Sequence, residues 1–456
     1  MIEYFLMKFI VPLLLFACLT VTASNALSAT LQDDELNYQK IEVTPDHFTV
    51  PRSEFVKKLH GFWLAQSIAN WTGLITETRR NDYPFYTDMD WNNRYQIFFS
   101  DDDVFEANSI NFMFVDDRGV WGADDDTDIE YMYQHLLDEN NSSILSAEQI
   151  RDGWMRNIHS AENQDNFLWV SNENAYYLMR YDGLLPPATS EPENNRDFNK
   201  IDAQLTTEIF GLLAPGRPDI VLKMAHLPIR TTAKNEAEWI AEFYVIMHSL
   251  ASVADPTLSM KEKLQWMAEK ARTRLPENSY PAKMYDFIKE DYENNIDKDD
   301  WEKTRDAIYI RYQRVSRDGY FYESEYDAGI NFAASLVSLF YGEGDLLKTI
   351  KIGTLAGWDS DNPTATWGGL IGFMLGKNGV EDAFNKKNFS ENYWIGRTRR
   401  EFPDHTPDRF GEDTFTMMAE RGMLIIDRVV IEEMGGGVDL EQDRWVIPDK
   451  NSSFGN

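Results

Sequence analysis

The chain has 456 residues, 43% of them hydrophobic and 13% aromatic, which supplies a sizeable core and argues against a disordered chain. Its 76 acidic residues outnumber 44 basic ones, for a formal net charge of −32. A surface this acidic repels phosphate backbones, so nucleic acid is not expected as a partner, whereas cation binding is favoured.

The elements follow in chain order. Lys8 precedes an apolar run from Phe9 to Val21, and small residues follow at Ser24 and Ala26. This is the pattern of a secretory signal peptide over residues 1–26, with Met7 as an alternative start. The run is shorter than the ~20 residues of a membrane span, so no membrane insertion is expected after cleavage. Cys18 is the only cysteine, so a mature chain beginning at 27 has no disulfides and suits a periplasmic or secreted location. Residues 27–44 read as an irregular leader. Helical periodicity then dominates, with stripes over Val56–Ile68, Ile129–Leu137, Trp239–Leu250 and Ile330–Phe340. Polar turns rich in Pro and Gly, such as Pro215-Gly216-Arg217-Pro218, separate them. Arg444–Ile447 is a short strand, and the tail Asn451–Asn456 reads as disordered. The expectation is one large all-α domain over 45–435 with a C-terminal extension over 436–456.

Three segments could carry chemistry. Asp124-Asp125-Asp126-Thr127-Asp128 stands just before the stripe that starts at Ile129. Acidic groups are favoured at a helix N-terminus, so taken alone a simple capping cluster is the stronger reading. A second triplet, Asp101–Asp103, shows that such runs occur here without obvious purpose. Gly357-Trp358-Asp359-Ser360-Asp361-Asn362-Pro363 precedes a helix whose residues 365, 368, 369 and 372 are small. Asn362 suits the N-cap and Pro363 the first helical position. Asp359 and Asp361, two apart in a turn, can face one centre. Finally, a helix from Gly61 ends in Asn70-Trp71-Thr72-Gly73, and Glu77 follows four residues on. A lone Glu after a helix is usually a solvated group.

Together the segments say more than each alone. Hard divalent cations need several oxygen ligands, and two acidic helix starts plus Glu77 can supply them. Their full negative charges outweigh the partial positive charges of two helix termini. The seven histidines are scattered without zinc-ligand spacing. No phosphate-binding glycine loop and no nucleophile elbow occurs.

In this order the segments resemble the ADP-ribosylglycohydrolase superfamily, which includes the enzymes that reactivate ADP-ribosylated dinitrogenase reductase. Its early signature, Gly-Asp-x-x-Gly with a Glu four residues later, is matched by Asn70–Gly73 and Glu77, with Asn70 in place of Asp. Its middle signature, Thr-Asp-Asp-Thr, is matched by Asp124–Thr127, with Asp124 in place of Thr. Its late signature, Gly-Gly-Asp-x-Asp-Thr, is matched by Gly357–Asn362, with Trp358 and Asn362 as departures. Ile201–Gln204, Asn331 and Tyr341–Asp345 also look like larger bacterial members. The resemblance implies an orthogonal all-α helical bundle binding two divalent cations, Mg²⁺ or Mn²⁺, with Ca²⁺ as an alternative. It implies Asp124, Asp125, Asp126, Asp359, Asp361 and Asn362 as metal ligands. Glu77, Asp125 and Asp361 would be the catalytic set, activating water against a glycosidic bond. Trp121 and Trp358 flank the acidic clusters, either to stack on a base or sugar of the substrate or as ordinary core tryptophans. The partner would be a small-molecule glycoside or an ADP-ribosylated substrate. The export signal favours a second reading, a carbohydrate O-glycosidase on the same scaffold. A third is a non-catalytic member, against which the retained acidic residues weigh.

Overall fold

The computed structural model describes residues 31–98, 109–122, 125–158, 168–394, 402–406 and 412–449. The signal segment, Asp101–Asp103, Asp124 and the tail Asn451–Asn456 lie outside the described residues. Helices dominate the rest. The first half holds α1 (Arg52–Gly73), α2 (Asp125–Glu139), α3 (Ala147–Asn157), α4 (Val170–Tyr181), α5 (Asp202–Leu205), α6 (Ile209–Leu213) and α7 (Pro218–Thr232). The second half holds α8 (Glu236–Leu250), α9 (Met260–Arg272), α10 (Tyr280–Asn294), α11 (Trp301–Ile308), α12 (Ala328–Gly342), α13 (Leu346–Ala356), α14 (Asp361–Ala383) and α15 (Phe415–Glu432). Each of the four expected stripes falls inside one of them.

The centre of the bundle is the pairing of α1 with α14. Nearly every α1 residue is buried, so this helix is enclosed on all sides rather than amphipathic. Small residues make the contact. A Cβ on Gly368 would stand 2.4 Å from the Ala69 Cβ, and one on Gly372 would stand 2.3 Å from the Ala65 Cβ. The two backbones therefore lie closer than larger side chains allow. The small-residue run at 365–372 serves this approach, as its composition suggested.

Short strands trim the bundle. β2 (Gln96–Phe98) pairs in parallel with β3 (Met113–Val115), and β4 (Asn392–Tyr393) antiparallel with β5 (Asp413–Thr414). β1 (His47–Pro51), β6 (Gly437–Asp439) and β7 (Arg444–Pro448) form an antiparallel sheet ordered β1-β7-β6, with His47 opposite Pro448 and Pro51 opposite Arg444. Beside it Arg52 is fully buried. Its Nε and Nη2 donate to both Asp427 oxygens at 2.9 and 2.6 Å, and Tyr38 and Trp445 donate to the same carboxylate. Residues 436–449, expected as an extension, are thus built into the domain, because β7 is the central strand that covers β1. The leader docks as well: the Leu31 carbonyl accepts from Arg52, and Asp33 pairs with Arg428 at 2.6 Å. Among the described residues, no helix is long and apolar enough to cross a membrane.

Candidate metal centre

α1 ends where α14 begins. A Cβ on Gly73 would fall 2.2 Å from the Asp361 Cα, so only glycine permits this meeting of backbones. Hydroxyls tie the junction together. Thr76 Oγ1 donates to the Thr354 carbonyl at 2.5 Å and lies 2.9 Å from Ser360 Oγ, while Ser360 Oγ reaches the Gly73 carbonyl at 3.2 Å. The Glu77 amide donates to the Gly73 carbonyl at 3.2 Å, which turns the half-buried Glu77 side chain back toward α14.

The turn before α14 presents the other two carboxylates. Gly357 has φ 101° and Trp358 has φ 58°, the latter a costly conformation for a bulky residue. Surrounding bonds hold it. The Thr78 amide donates to the Trp358 carbonyl at 2.8 Å, and the Trp358 amide donates to the Arg80 carbonyl at 3.3 Å. Next in the chain, the Asp359 amide donates to Asn331 Oδ1 at 3.2 Å, and Asn331 Nδ2 is anchored on the carbonyls of Glu325 and Asp327. The result is that ligand atoms of Glu77, Asp359 and Asp361 all lie within 4.8 Å of one another, with both aspartates buried. α14 starts at Asp361 with Ser360 at the N-cap, two residues earlier than the expected cap at Asn362. Pro363 is tolerated because it remains in the first turn, where its missing N–H has no intrahelical partner. Asn362 is itself buried, and its Nδ2 has no hydrogen-bond partner among the described residues.

The middle segment joins them. Asp125 and Asp126 occupy the first turn of α2 and are buried. Asn70 Nδ2 donates to Asp126 Oδ2 at 3.0 Å and to Asp361 Oδ2 at 3.2 Å, so one amide bridges the segments from α2 and α14. Asp125 Oδ2 accepts from Asn172 Nδ2 at 2.8 Å. Asn172 is held in turn by Asp202, whose Oδ1 accepts the Asn172 amide at 3.1 Å and whose Oδ2 accepts from Ser171. Burial pushes the Asp202 carboxyl up to about 6, although these hydrogen bonds oppose the rise. Asn172 was not anticipated, since nothing in its polar surroundings distinguishes it. Tyr326 was also missed; its phenol is raised by burial and then by the charges of Asp359 and Glu77, which registers the concentration of negative charge beside it.

The two tryptophans are not open platforms. Both are fully buried. Trp121 packs edge-on to Trp71 and donates its indole N–H to the Ser390 carbonyl at 3.0 Å; Trp358 packs on Phe85 and donates to Gln313 Oε1 at 2.7 Å. They form walls behind the acidic turns, so the expected stacking role is corrected: neither has a face available to a ligand. A cleft of about 640 Å³ is lined by Arg79, Arg80, Asn81, Asp82, Gln313 and Tyr322 among others, and by none of the three clustered carboxylates. It starts two residues after Glu77 and reaches the Trp358 turn through Gln313.

The spacing of the carboxylates suits a hard cation. Oxygens on opposite sides of such an ion are separated by about 4–5 Å, twice the ~2.0–2.6 Å bond length, and 4.8 Å bounds this cluster. No curated protein matches the chain. A solved structure described as an "ADP-ribosylglycohydrolase-related protein complex" is similar over 82% of this chain and 98% of its own, at 13% identity and a TM-score of 0.46. The ADP-ribosylglycohydrolase family profile matches residues 51–409, a span that contains Glu77, the 124–126 cluster and the 359–361 turn. The chain therefore belongs to the ADP-ribosylglycohydrolase family.

Proposed function

We propose that the protein is a divalent-cation-dependent glycoside hydrolase that cleaves an N- or O-glycosidic bond to ribose or ADP-ribose. The observation that carries this reading is the convergence of Glu77, Asp359 and Asp361 within 4.8 Å, with Asn70 linking Asp361 to Asp126. Asp359 and Asp361 would hold the cation from one side and Asp125 and Asp126 from the other; Asp124 and Asn362 are the remaining proposed ligands. A bound Mg²⁺ or Mn²⁺ supplies Lewis-acid polarisation and orients the sugar diol.

The side chains do the rest. Glu77 is half-buried beside Asp359 and Asp361, where its carboxylate can take a proton from an attacking water. Asn70 holds one oxygen each of Asp126 and Asp361 and so orients both carboxylates. Asn172 holds Asp125 in the same way. The dense negative charge stabilises the oxocarbenium-like character that develops at the anomeric carbon. Arg79 and Arg80 in the adjoining cleft suit an anionic part of the substrate, since guanidinium groups pair with phosphate oxygens in a planar fork. The signal pattern in residues 1–26 supports a periplasmic or secreted location and keeps an ordinary carbohydrate as the competing substrate.

Two measurements test this. Metal analysis and calorimetric titration of the purified chain with Mg²⁺, Mn²⁺ and Ca²⁺ should show binding that Asp361→Ala abolishes; absence of binding in the wild type sinks the reading. With metal present, a thermal-shift comparison of ADP-ribose against pentoses and hexoses identifies the substrate class. Stabilisation by ordinary sugars alone would replace the ADP-ribosyl assignment by the carbohydrate one.

A further inference from the structure

Two of the three clustered carboxylates are next in the chain to a strained residue. Thr78, after Glu77, has φ 54°, and Trp358, before Asp359, has φ 58°. β-branched and bulky side chains are the types least suited to this left-handed region, and such conformations persist only where the surroundings over-determine them. A return of Trp358 to an ordinary negative φ would turn the chain by roughly 120° at the residue that leads into Asp359. The spacing of Glu77 and Asp359 therefore depends on whatever holds these two residues.

Backbone bonds supply part of the hold. The Thr78 amide donates to the Trp358 carbonyl at 2.8 Å, and the Trp358 amide donates to the Arg80 carbonyl at 3.3 Å. One side chain adds to it. α11 runs on into a π-helical turn, Tyr309–Arg314, a geometry that is rare and often found at functional sites. Gln313 belongs to this turn. Its Oε1 accepts the Trp358 indole N–H at 2.7 Å, and its Nε2 donates to the Asn81 carbonyl at 2.8 Å. An indole nitrogen only donates and a carbonyl only accepts, so the amide has one permitted orientation and both of its ends are used. It ties the loop that follows Glu77 to the turn that precedes Asp359, from a third element. Gln313 is only half-buried and lines the cleft, where packing alone would accept other side chains of this length. Trp358 is fully buried, so bulk water does not reach its N–H as a substitute acceptor.

We propose that Gln313 is a positioning residue of the cation centre: its one amide staples the Glu77 and Asp359 loops together and thereby raises cation affinity without touching the ion. The inference rests on the cation-binding reading.

Two substitutions dissect the staple. Gln313→Met keeps the length of the side chain and removes both bonds, whereas Trp358→Phe keeps a ring and removes only the indole bond. Calorimetric titration with MgCl₂ of the full chain, each variant and the double variant gives four affinities. Gln313→Met should lose about 10-fold or more, as is usual when a group that orients metal ligands is removed. The double variant should lose less than the product of the two single losses, because both substitutions act on one bond. A wild-type affinity in Gln313→Met, or losses that multiply, overturns the proposal. Hydrogen exchange of the metal-free protein separates local from global effects. Gln313→Met should speed exchange in residues 78–81 and 357–360 and leave the β1-β7-β6 sheet unchanged; equal acceleration everywhere refutes a positioning role. If Trp358→Phe does not fold, the affinity and the exchange pattern of Gln313→Met decide. If the wild type binds no cation, the cation-binding reading fails. Exchange then judges the staple alone, and unchanged rates in both loops refute it.

Discussion

Replacing Gly73 by alanine should damage the cation site without replacing any ligand. The added Cβ would stand 2.2 Å from the Asp361 Cα and 2.9 Å from its amide nitrogen. Carbon atoms rest at about 3.5–4.0 Å, so α1 and α14 must separate by more than 1 Å at this point, to first order. Neither contact is the end of a flexible side chain that could swing aside. Overpacking of this kind costs about 1–3 kcal/mol. A functional constellation tolerates only ~0.5 Å of displacement, so the same movement should draw Asp361 away from Glu77 and Asp126. If the strain is expressed in assembly of the site, affinity for Mg²⁺ falls by roughly 5- to 150-fold, at tenfold per 1.4 kcal/mol. Calorimetric titration gives the affinity, and urea unfolding in a chelator gives the stability. Gly73→Ala with wild-type values in both would show that the α1–α14 junction does not govern the centre.

Further outcomes are expected. Asp359→Asn should weaken cation binding at least tenfold in the same titration while metal-free stability stays near wild type, since one ligand charge is lost and no packing changes. Arg79→Ala with Arg80→Ala should raise KM for a phosphorylated or diphosphate-bearing substrate and leave KM for a neutral pentoside unchanged; equal effects on both would remove the anion role. Arg52→Met leaves the Asp427 carboxylate buried beside β7 without its cation, and should cost about 3–5 kcal/mol in chemical unfolding. The Asp202 carboxyl is raised by burial from 3.8 to about 6, so the folded state binds the extra proton between those values. Its contribution to stability is therefore fully present below about pH 4 and falls by about 3 kcal/mol as pH rises to 6. Asp202→Asn should flatten that segment of the stability–pH curve; an unchanged slope would refute the assignment.

Much of this architecture was legible in the sequence because helical periodicity is a local signal. The stripes at Val56–Ile68 and Ile129–Leu137 fall within α1 and α2, and the small residues at 368 and 372 did mark a close helix contact. The grouping of Glu77, Asp359 and Asp361 was also readable, but only through the ordered family motifs, since each acidic segment alone fits an ordinary cap. Other features depended on the tertiary fold. Asn172 and Asp202 matter because α4 and α5 happen to arrive beside Asp125, and no spacing announces that. Trp121 and Trp358 stand next to acidic residues in the chain, yet their side chains point inward against Trp71 and Phe85. Adjacency in sequence does not set the direction of a side chain. The β1–β7 pairing links positions about 400 residues apart, beyond the reach of any local pattern.

That pairing also sets the distance between the sheet and the carboxylates. His47 and Pro448 sit side by side at the foot of α1, and the carboxylates sit at its far end. With 22 residues at ~1.5 Å each, the helix separates them by about 33 Å. A label or a surface linker attached at Asp46 or Asp449 would leave from this remote pole. The carboxylate centre would stay clear of such a tether, so a chain immobilised there should bind a divalent cation as tightly as one in solution.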